Sequence, residues 1–416
     1  MDPSPSLSVP AVPRIPPVLL IDGGVDPRLR VARLGLVERW QRLFADLGRE
    51  VQVVTAQGLA AALEAEAAAI PAGADPWLVL AWADHVVEPA AVQSFLERVP
   101  AAARGTALAL RIAAPGLGNG PLLALPARRA AALGRRLPAS GALAADAVAE
   151  VLASELGQAP SPLALPAAYW GRVANQADSK AAVWGLLQRL RWRQGGVVAH
   201  YLNRPVSIRI SRLVAETGIT PNQTTVFTFV LGLLGVALVL APGGYGGCLA
   251  GLLLLHVNSV FDGIDGELAH LRHQRSTFGA YLDSVCDEIL NAALLVAVGW
   301  DLSRRASFDW RGWLALGILA GATSFLYALV HWHCKWKHGL GFYWWWDAYK
   351  PRQQVQASNS LRSYFMRIFQ KDGLLLLFLL AALANALPVM LVLSAGAAAV
   401  VLVLLVVHIG SKRARW

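Results

Sequence analysis

Cysteine is scarce in this chain: there are three in 416 residues, Cys248, Cys286 and Cys334, an odd number without paired spacing. A disulfide framework and a cysteine zinc site are thereby excluded. Charge is scarce too, at 15% of residues against 56% hydrophobic, and the mean hydropathy is +0.46. That balance excludes both a disordered chain and a purely water-soluble enzyme of this size. Lysine is missing before Lys180, and long apolar runs are missing before about residue 220. No secretory signal opens the chain, because Met1 to Pro17 is rich in Pro and Ser without a charged start and an apolar core. The N-terminal part is therefore expected to stay in the cytoplasm.

What is present divides in two. From Pro16, short apolar runs alternate with amphipathic ones: Val18 to Asp22, Leu34 to Leu47, Val51 to Thr55, Leu59 to Ala69, Trp77 to Ala83, Pro89 to Val99 and Thr106 to Ile112. This rhythm predicts an α/β domain over residues 1–179, with a mainly parallel sheet covered by helices. Six apolar stretches follow, at about Thr224 to Ala241, Gly246 to Phe261, Phe278 to Trp300, Trp313 to Trp332, Leu374 to Leu387 and Val389 to Ile409. Several approach the roughly 20 residues that span a bilayer, which predicts an all-α, six-helix transmembrane domain over residues 222–416.

Between the two, residues 180–221 hold Leu187, Leu190 and Trp192 among Arg189, Arg191 and Arg193, then Ile208 and Ile210 among Arg209 and Arg212. A basic amphipathic helix on the inner membrane surface is expected there. Thr220-Pro221 supplies an N-cap and a first-turn proline for the first span. With the N-terminal domain inside, the inside segments hold most of the loop Lys and Arg, and the outside segments hold only Arg304, Arg305 and Arg311. The positive-inside rule then places a multi-pass protein in the inner membrane with its active site facing the cytoplasm. The net charge of +10 is accordingly read as affinity for an anionic bilayer, with no nucleic acid partner.

The chemistry concentrates in Asp262, Asp265, Asp283 and Asp287, at the cytoplasmic ends of two apolar stretches, where a buried charge is expensive. Helical spacing puts Asp262, Asp265 and Ala269 on one face and Asp283 and Asp287 on another. Two antiparallel helices joined by Leu271 to Thr277 bring these faces together. Four converging carboxylates repel unless cations neutralise them, and hard oxygen donors select Mg²⁺, Mn²⁺ or Ca²⁺. A divalent site, with two ions, is the inference. Gly266 and Gly279 lack side chains that would block a bulky ligand at the same seam. Carboxylates capping helix ends in water would account for one or two of these aspartates, not for four at matched spacing.

The spacing D-x2-D-G-x2-A-R-x8-G-x3-D-x3-D marks the CDP-alcohol phosphotransferases. This chain resembles that family, with Asp262, Asp265, Gly266, Ala269, Gly279, Asp283 and Asp287 in place and His270 where the pattern has Arg. The resemblance implies that the hydroxyl of a second alcohol displaces CMP from a CDP-alcohol. It also implies Mg²⁺ or Mn²⁺ held by Asp262, Asp265, Asp283 and Asp287, with Asp287 as general base. The cytidine site would be lined by Asp262, Gly266, Ala269 and Gly279. With His270 replacing a permanent cation, Arg272 or Arg275 is expected to reach a phosphate, and Arg204, Arg209 and Arg212 to bind an acceptor phosphate or a lipid headgroup.

The domain order resembles the bifunctional inositol-1-phosphate cytidylyltransferase and di-myo-inositol phosphate phosphate synthases. Gly23-Gly24 and Asp84 are similar to parts of a nucleotidyltransferase site, but the missing lysines and short glycine loop imply a degenerate, non-catalytic domain that binds a ligand or organises a homodimer. Donor and acceptor stay open between an inositol-phosphate pair and CDP-diacylglycerol with a lipid-forming acceptor. A silent membrane scaffold or nucleotide sensor is the alternative of a different class. Trp344-Trp345-Trp346 reads as an interfacial belt, and His256, Asn258 and Ser259 as interhelical hydrogen-bonding residues.

Overall fold

The computed structural model describes residues 18–22, 24–70, 76–102, 110–114, 118–137, 144–165, 169–191, 197–305, 310–338 and 371–410. The chain separates into two compact units, Met1–Arg189 with Leu271–His273, and Leu190–His270 with Gln274–Trp416.

In the first unit the elements run β1 (Val18–Asp22), β2 (Arg30–Val31), β3 (Leu34–Gly35), α1 (Leu36–Asp46), β4 (Val51–Thr55), α2 (Leu59–Ala68), β5 (Trp77–Trp82), β6 (His85–Val87), α3 (Pro89–Ala102), β7 (Leu110–Ala114), β8 (Gly118–Pro126), α4 (Ala127–Arg136), α5 (Ala145–Leu156), β9 (Ser161–Ala164), β10 (Trp170–Arg172) and α6 (Gln176–Arg191). The main sheet has the order β4-β1-β5-β8-β7-β9. Parallel pairing joins β1 to β4 and β5, and β7 to β9, while β8 runs antiparallel to both its neighbours. The expected sheet is thus mixed rather than mainly parallel along its whole width. Gly118, Asn119, Gly120 and Pro121 disguise the start of β8 in the sequence pattern.

Alternation along β1 sorts the core into two layers. Val18 and Leu20 pack with Trp40, Phe44 and Phe95 on one face, and Leu19 and Ile21 pack with Leu59, Leu63 and Leu133 on the other. A strand covered on both faces reads as a continuous apolar run, as VLLI does here. The buried stripe of α1 is Leu36, Trp40, Leu43 and Phe44, at helical spacing, and the Trp40 indole donates to the His85 carbonyl at 2.8 Å.

The second unit is helical. A π-helical turn (Ala199–Asn203) leads into α7 (Arg204–Val214), followed by α8 (Pro221–Leu240), α9 (Gly244–Leu271), α10 (Thr277–Arg305), α11 (Trp310–His338), α12 (Lys371–Leu383) and α13 (Leu387–Gly410). The six expected apolar stretches map onto α8 to α13, except that the fifth, Leu374 to Leu387, runs past the end of α12 at Leu383 to the first residue of α13. Among the described residues three segments are long and apolar enough to cross a membrane: Pro221–Leu240, Gly244–Leu271 and Arg311–Leu329. Charge sets α10 apart from these, since it carries Asp283, Asp287, Glu288 and Asp301, and α12 is 13 residues long. The N-terminus of α8 is a capping box: Thr220 Oγ1 accepts from the Gln223 amide at 3.3 Å, and Gln223 Oε1 accepts from the Thr220 amide at 2.9 Å.

Close backbone approach holds α10 against α11. A Cβ on Gly317 would sit 2.8 Å from the Leu295 carbonyl oxygen and 2.9 Å from Gly299 Cα. Gly317→Val is expected to destabilise this packing by about 1–3 kcal/mol, the usual cost of overpacking a close-packed interior. A lowered unfolding temperature of the purified protein in detergent is the readout, and an unchanged value would contradict the packing described.

Within the first unit, Asp84 accepts from His85 Nδ1 at 2.7 Å and from Arg172 Nε at 3.0 Å. Burial would raise the Asp84 carboxyl, but the His85 and Arg172 contacts outweigh it and hold the group below its ordinary value of 3.8. A depressed carboxylate stabilises the fold above its unfolded pKa and loses that contribution as pH falls through the folded one. Arg172→Gln is therefore expected to move acid unfolding of the full chain to higher pH. An unshifted acid transition would show that the pair does not contribute.

Candidate active site

Two helix ends build the site. Helix α9 stays regular through Asp262-Gly263-Ile264-Asp265-Gly266 to Leu271, where the chain turns through His273 with a positive φ of 51° and the Gln274 amide returns to the Ala269 carbonyl at 2.9 Å. Helix α10 opens on Thr277, with Ser276 Oγ accepting from the Gly279 amide at 2.9 Å as a cap. Asp283 and Asp287 then follow one turn apart on α10.

Carboxylate oxygens of Asp262, Asp283 and Asp287 lie within 4.8 Å of one another, and all three residues are half-buried. At an effective dielectric of about 20, like charges that close repel by about 3–4 kcal/mol per pair. A compensating cation is Lys371, the first residue of α12. Its ammonium donates to Asp262 Oδ2 at 3.1 Å and contacts Asp287 Oδ1. Lys371 offsets one of the three carboxylate charges, and the donors are hard oxygens. These residues fit a divalent cation.

Asp265 is placed differently. Its Oδ2 accepts from Thr225 Oγ1 at 2.5 Å and its Oδ1 from the Gly266 amide at 2.5 Å, while it still feels the charges of Asp262 and Asp287. A Cβ on Gly266 would meet nothing within 4 Å, so open space lies over this residue. Gly279 is tight, since its Cβ would lie 3.0 Å from both Asn222 Oδ1 and Ser276 Oγ. Ala269 is half-buried.

The cationic candidates take other positions. His270 and Arg275 contact each other through Nε2 and Nη2. Arg272 is buried at 3% exposure and groups with the first unit. Arg209 is exposed and donates to the Pro205 carbonyl at 2.5 Å; Arg212 is exposed, and Arg204 pairs with Glu267 at 3.2 Å. Ser259 does make interhelical hydrogen bonds, donating to Asp372 Oδ1 at 2.5 Å and accepting from Asn203 Nδ2 at 3.0 Å. Trp344-Trp345-Trp346 and Gly23 lie outside the described residues.

Lys371 and Thr225 were not among the sequence candidates. The signal for Lys371 was its place in Lys371-Asp372, immediately before the fifth apolar stretch. Thr225 sits one turn inside the first span, where a hydroxyl needs a partner.

The geometry now has a counterpart among known sequences. Residues 218–345 match the family model described as CDP-alcohol phosphatidyltransferase. This region holds the four motif aspartates, and the cluster of three is an acidic group of the kind that this divalent-metal-dependent family uses. The chain is 35% identical over 147 residues to the bifunctional IPC transferase and DIPP synthase of Aquifex aeolicus, covering 35% of this chain and 32% of that one. It is 40% identical over 107 residues to the protein of the same name from Thermococcus kodakarensis, covering 25% and 23%. It is 36% identical over 91 residues to the phosphatidylinositol phosphate synthase of Corynebacterium glutamicum, covering 22% and 40%. The matched region is therefore less than half the length of each of these relatives.

Lys371 engages oxygens of Asp262 and Asp287 that a divalent ion would use, so the two cations would compete for them. Lys371→Met is expected to lower the unfolding temperature in chelator and to enlarge the rise that Mn²⁺ produces. Equal Mn²⁺-induced rises in variant and wild type would contradict that competition.

Proposed function

We propose that the protein is an integral membrane CDP-alcohol phosphotransferase that transfers a substituted phosphate from a CDP-alcohol to an acceptor hydroxyl and releases CMP. The observation that carries this reading is the carboxylate cluster of Asp262, Asp283 and Asp287, inside the region that matches the CDP-alcohol phosphatidyltransferase model. Asp262, Asp265, Asp283 and Asp287 would hold Mg²⁺ or Mn²⁺, two ions in the full set. When bound, the metal supplies charge neutralisation for the bridging phosphates and for the leaving CMP.

The chain's own residues do the rest. Asp287 is the general base that takes the proton from the attacking hydroxyl, and Asp283, one turn away on α10, fixes the same face. Thr225 fixes the Asp265 carboxylate by donating to Oδ2. Gly266, Ala269 and Gly279 would line the cytidine site, where the open space over Gly266 supports access and Asn222 packs closely beside Gly279 as a polar wall. His270, paired with Arg275, lines the phosphate side of the site, with Arg209 and Arg212 on the acceptor side.

Six helices, α8 to α13, would span the inner membrane with the carboxylates and the N-terminal unit on the cytoplasmic side. Helix α7 would lie in the interface, which its exposed Val206 and Leu213 beside Arg209, and the exposed Leu202 on the π-helical turn before it, support. The first unit is read as a degenerate nucleotidyltransferase-like domain over residues 1–179. Both oxygens of Asp84 are taken by His85 and Arg172, which supports a site that no longer holds a metal. That unit would bind a ligand or organise a homodimer. The names of the similar proteins support an inositol-phosphate or phospholipid product.

CMP release by the purified full chain with Mg²⁺ or Mn²⁺ tests this. The donors are CDP-inositol and CDP-diacylglycerol, and the acceptors inositol phosphate, glycerol phosphate and lipid alcohols. Metal-dependent release is expected with one donor class, reduced at least about 100-fold in Asp287→Asn, the usual scale for losing a general base. Undiminished release by Asp287→Asn would remove that residue from the mechanism. Binding of CDP-alcohols without turnover would favour a silent nucleotide sensor.

A further inference from the structure

Helix α7 and helix α9 meet along a polar seam with a matched period. Asn203, Ser207 and Ser211 recur every fourth residue on one side, and Ser259, Gly263 and Glu267 recur every fourth residue on the other. Ser207 Oγ donates to Glu267 Oε1 at 2.6 Å, Ser211 Oγ to Glu267 Oε2 at 2.6 Å, and Arg204 Nη1 lies 3.2 Å from Oε1. Gly263 sits against this seam, and a Cβ there would make ordinary contact with Ser207 Oγ at 3.5 Å and Glu267 Oε1 at 3.7 Å. Asn203 Nδ2 closes the far end on Ser259, which itself holds Asp372 beside Lys371.

Glu267 is 1% exposed, Ser207 1%, and Ser211 0%. A buried carboxylate is costly unless all its oxygens are satisfied, and here each is. Leu and Ala would pack two helices with no such cost, but they would allow α9 to rotate or slide, whereas directional bonds do not. At 3.6 residues per turn, the seam residues of α9 lie roughly 130° round the helix from the face of Asp262, Asp265 and Ala269. Fixing one face therefore fixes the direction of the other.

We infer that Glu267 is a positioning residue: anchored by Ser207, Ser211 and Arg204 of α7, it sets the rotation of α9 and so aims Asp262 into the carboxylate cluster and Asp265 toward Thr225 beside it. The inference rests on the proposed metal-dependent site, and its first readout, Mn²⁺ affinity, needs no turnover.

The test uses the full chain in detergent micelles, with Mn²⁺ binding followed by electron paramagnetic resonance and kcat and KM followed by CMP release. Ser207→Ala/Ser211→Ala removes both hydroxyls and leaves the aspartates intact. Mn²⁺ affinity and kcat are each expected to fall about 10–100-fold, the scale seen when partners behind metal ligands are lost, with donor KM changed much less. Ser207→Thr/Ser211→Thr returns the hydroxyls and is expected to recover most of both. If the double alanine variant does not fold, Ser211→Ala alone is expected to give a smaller loss of the same two quantities.

Wild-type Mn²⁺ affinity in the folded alanine variants would overturn the inference, as would threonine variants no better than alanine ones. Wild-type protein that binds Mn²⁺ but releases no CMP would sink the proposed function alone, leaving the seam to be judged on Mn²⁺ affinity.

Discussion

Carboxylates brought together at the end of apolar helices repel one another, and the second unit is organised around compensating that repulsion. Asp262, Asp283 and Asp287 stand within 4.8 Å of each other in half-buried positions, where water screens them poorly. Lys371 answers two of them from the start of α12, and Thr225 and the Gly266 amide answer Asp265. Each of these partners comes from a different place in the sequence. Helices α8, α9, α10 and α12 are thereby tied at one level of the bundle by charge, while their apolar lengths pack through Val239, Leu255, Leu294 and Phe378.

The same constraint explains why Glu267 is treated so differently from its neighbours. It lies two residues beyond Asp265, yet it faces α7 and is fully satisfied by hydroxyls and a guanidinium. A metal site needs carboxylates whose remaining lone pairs are still available, and a structural carboxylate needs the opposite. Helical geometry separates the two requirements by putting them on different faces of α9. In the first unit Asp84 follows the structural pattern, with both oxygens engaged by protein groups.

Much of the architecture was legible because it follows from periodicity. The β1 and β4 runs are uninterrupted or β-branched and end at Asp22 and Thr55, as the pattern indicated. The capping box at Thr220 and Gln223 was readable as Thr-Pro followed by a polar turn. The antiparallel β8 was not, because Gly and Pro at its start resemble a turn and its partners are set by long-range pairing. The apolar stretches became helices, and among the described residues three segments are long and apolar enough to cross a membrane.

The sequence by itself determined the donor set: hard carboxylate oxygens at helical spacing, with glycines beside them, and apolar stretches that must leave water. These are local properties of residue type and period, carried by every copy of the chain whatever its partners. Only the tertiary structure decided which groups complete the site. Lys371 lies 84 positions after Asp287, and Thr225 lies 40 before Asp265. No local pattern links residues so far apart. Their meeting depends on how α8 and α12 pack against α9 and α10, and packing is a property of the whole fold.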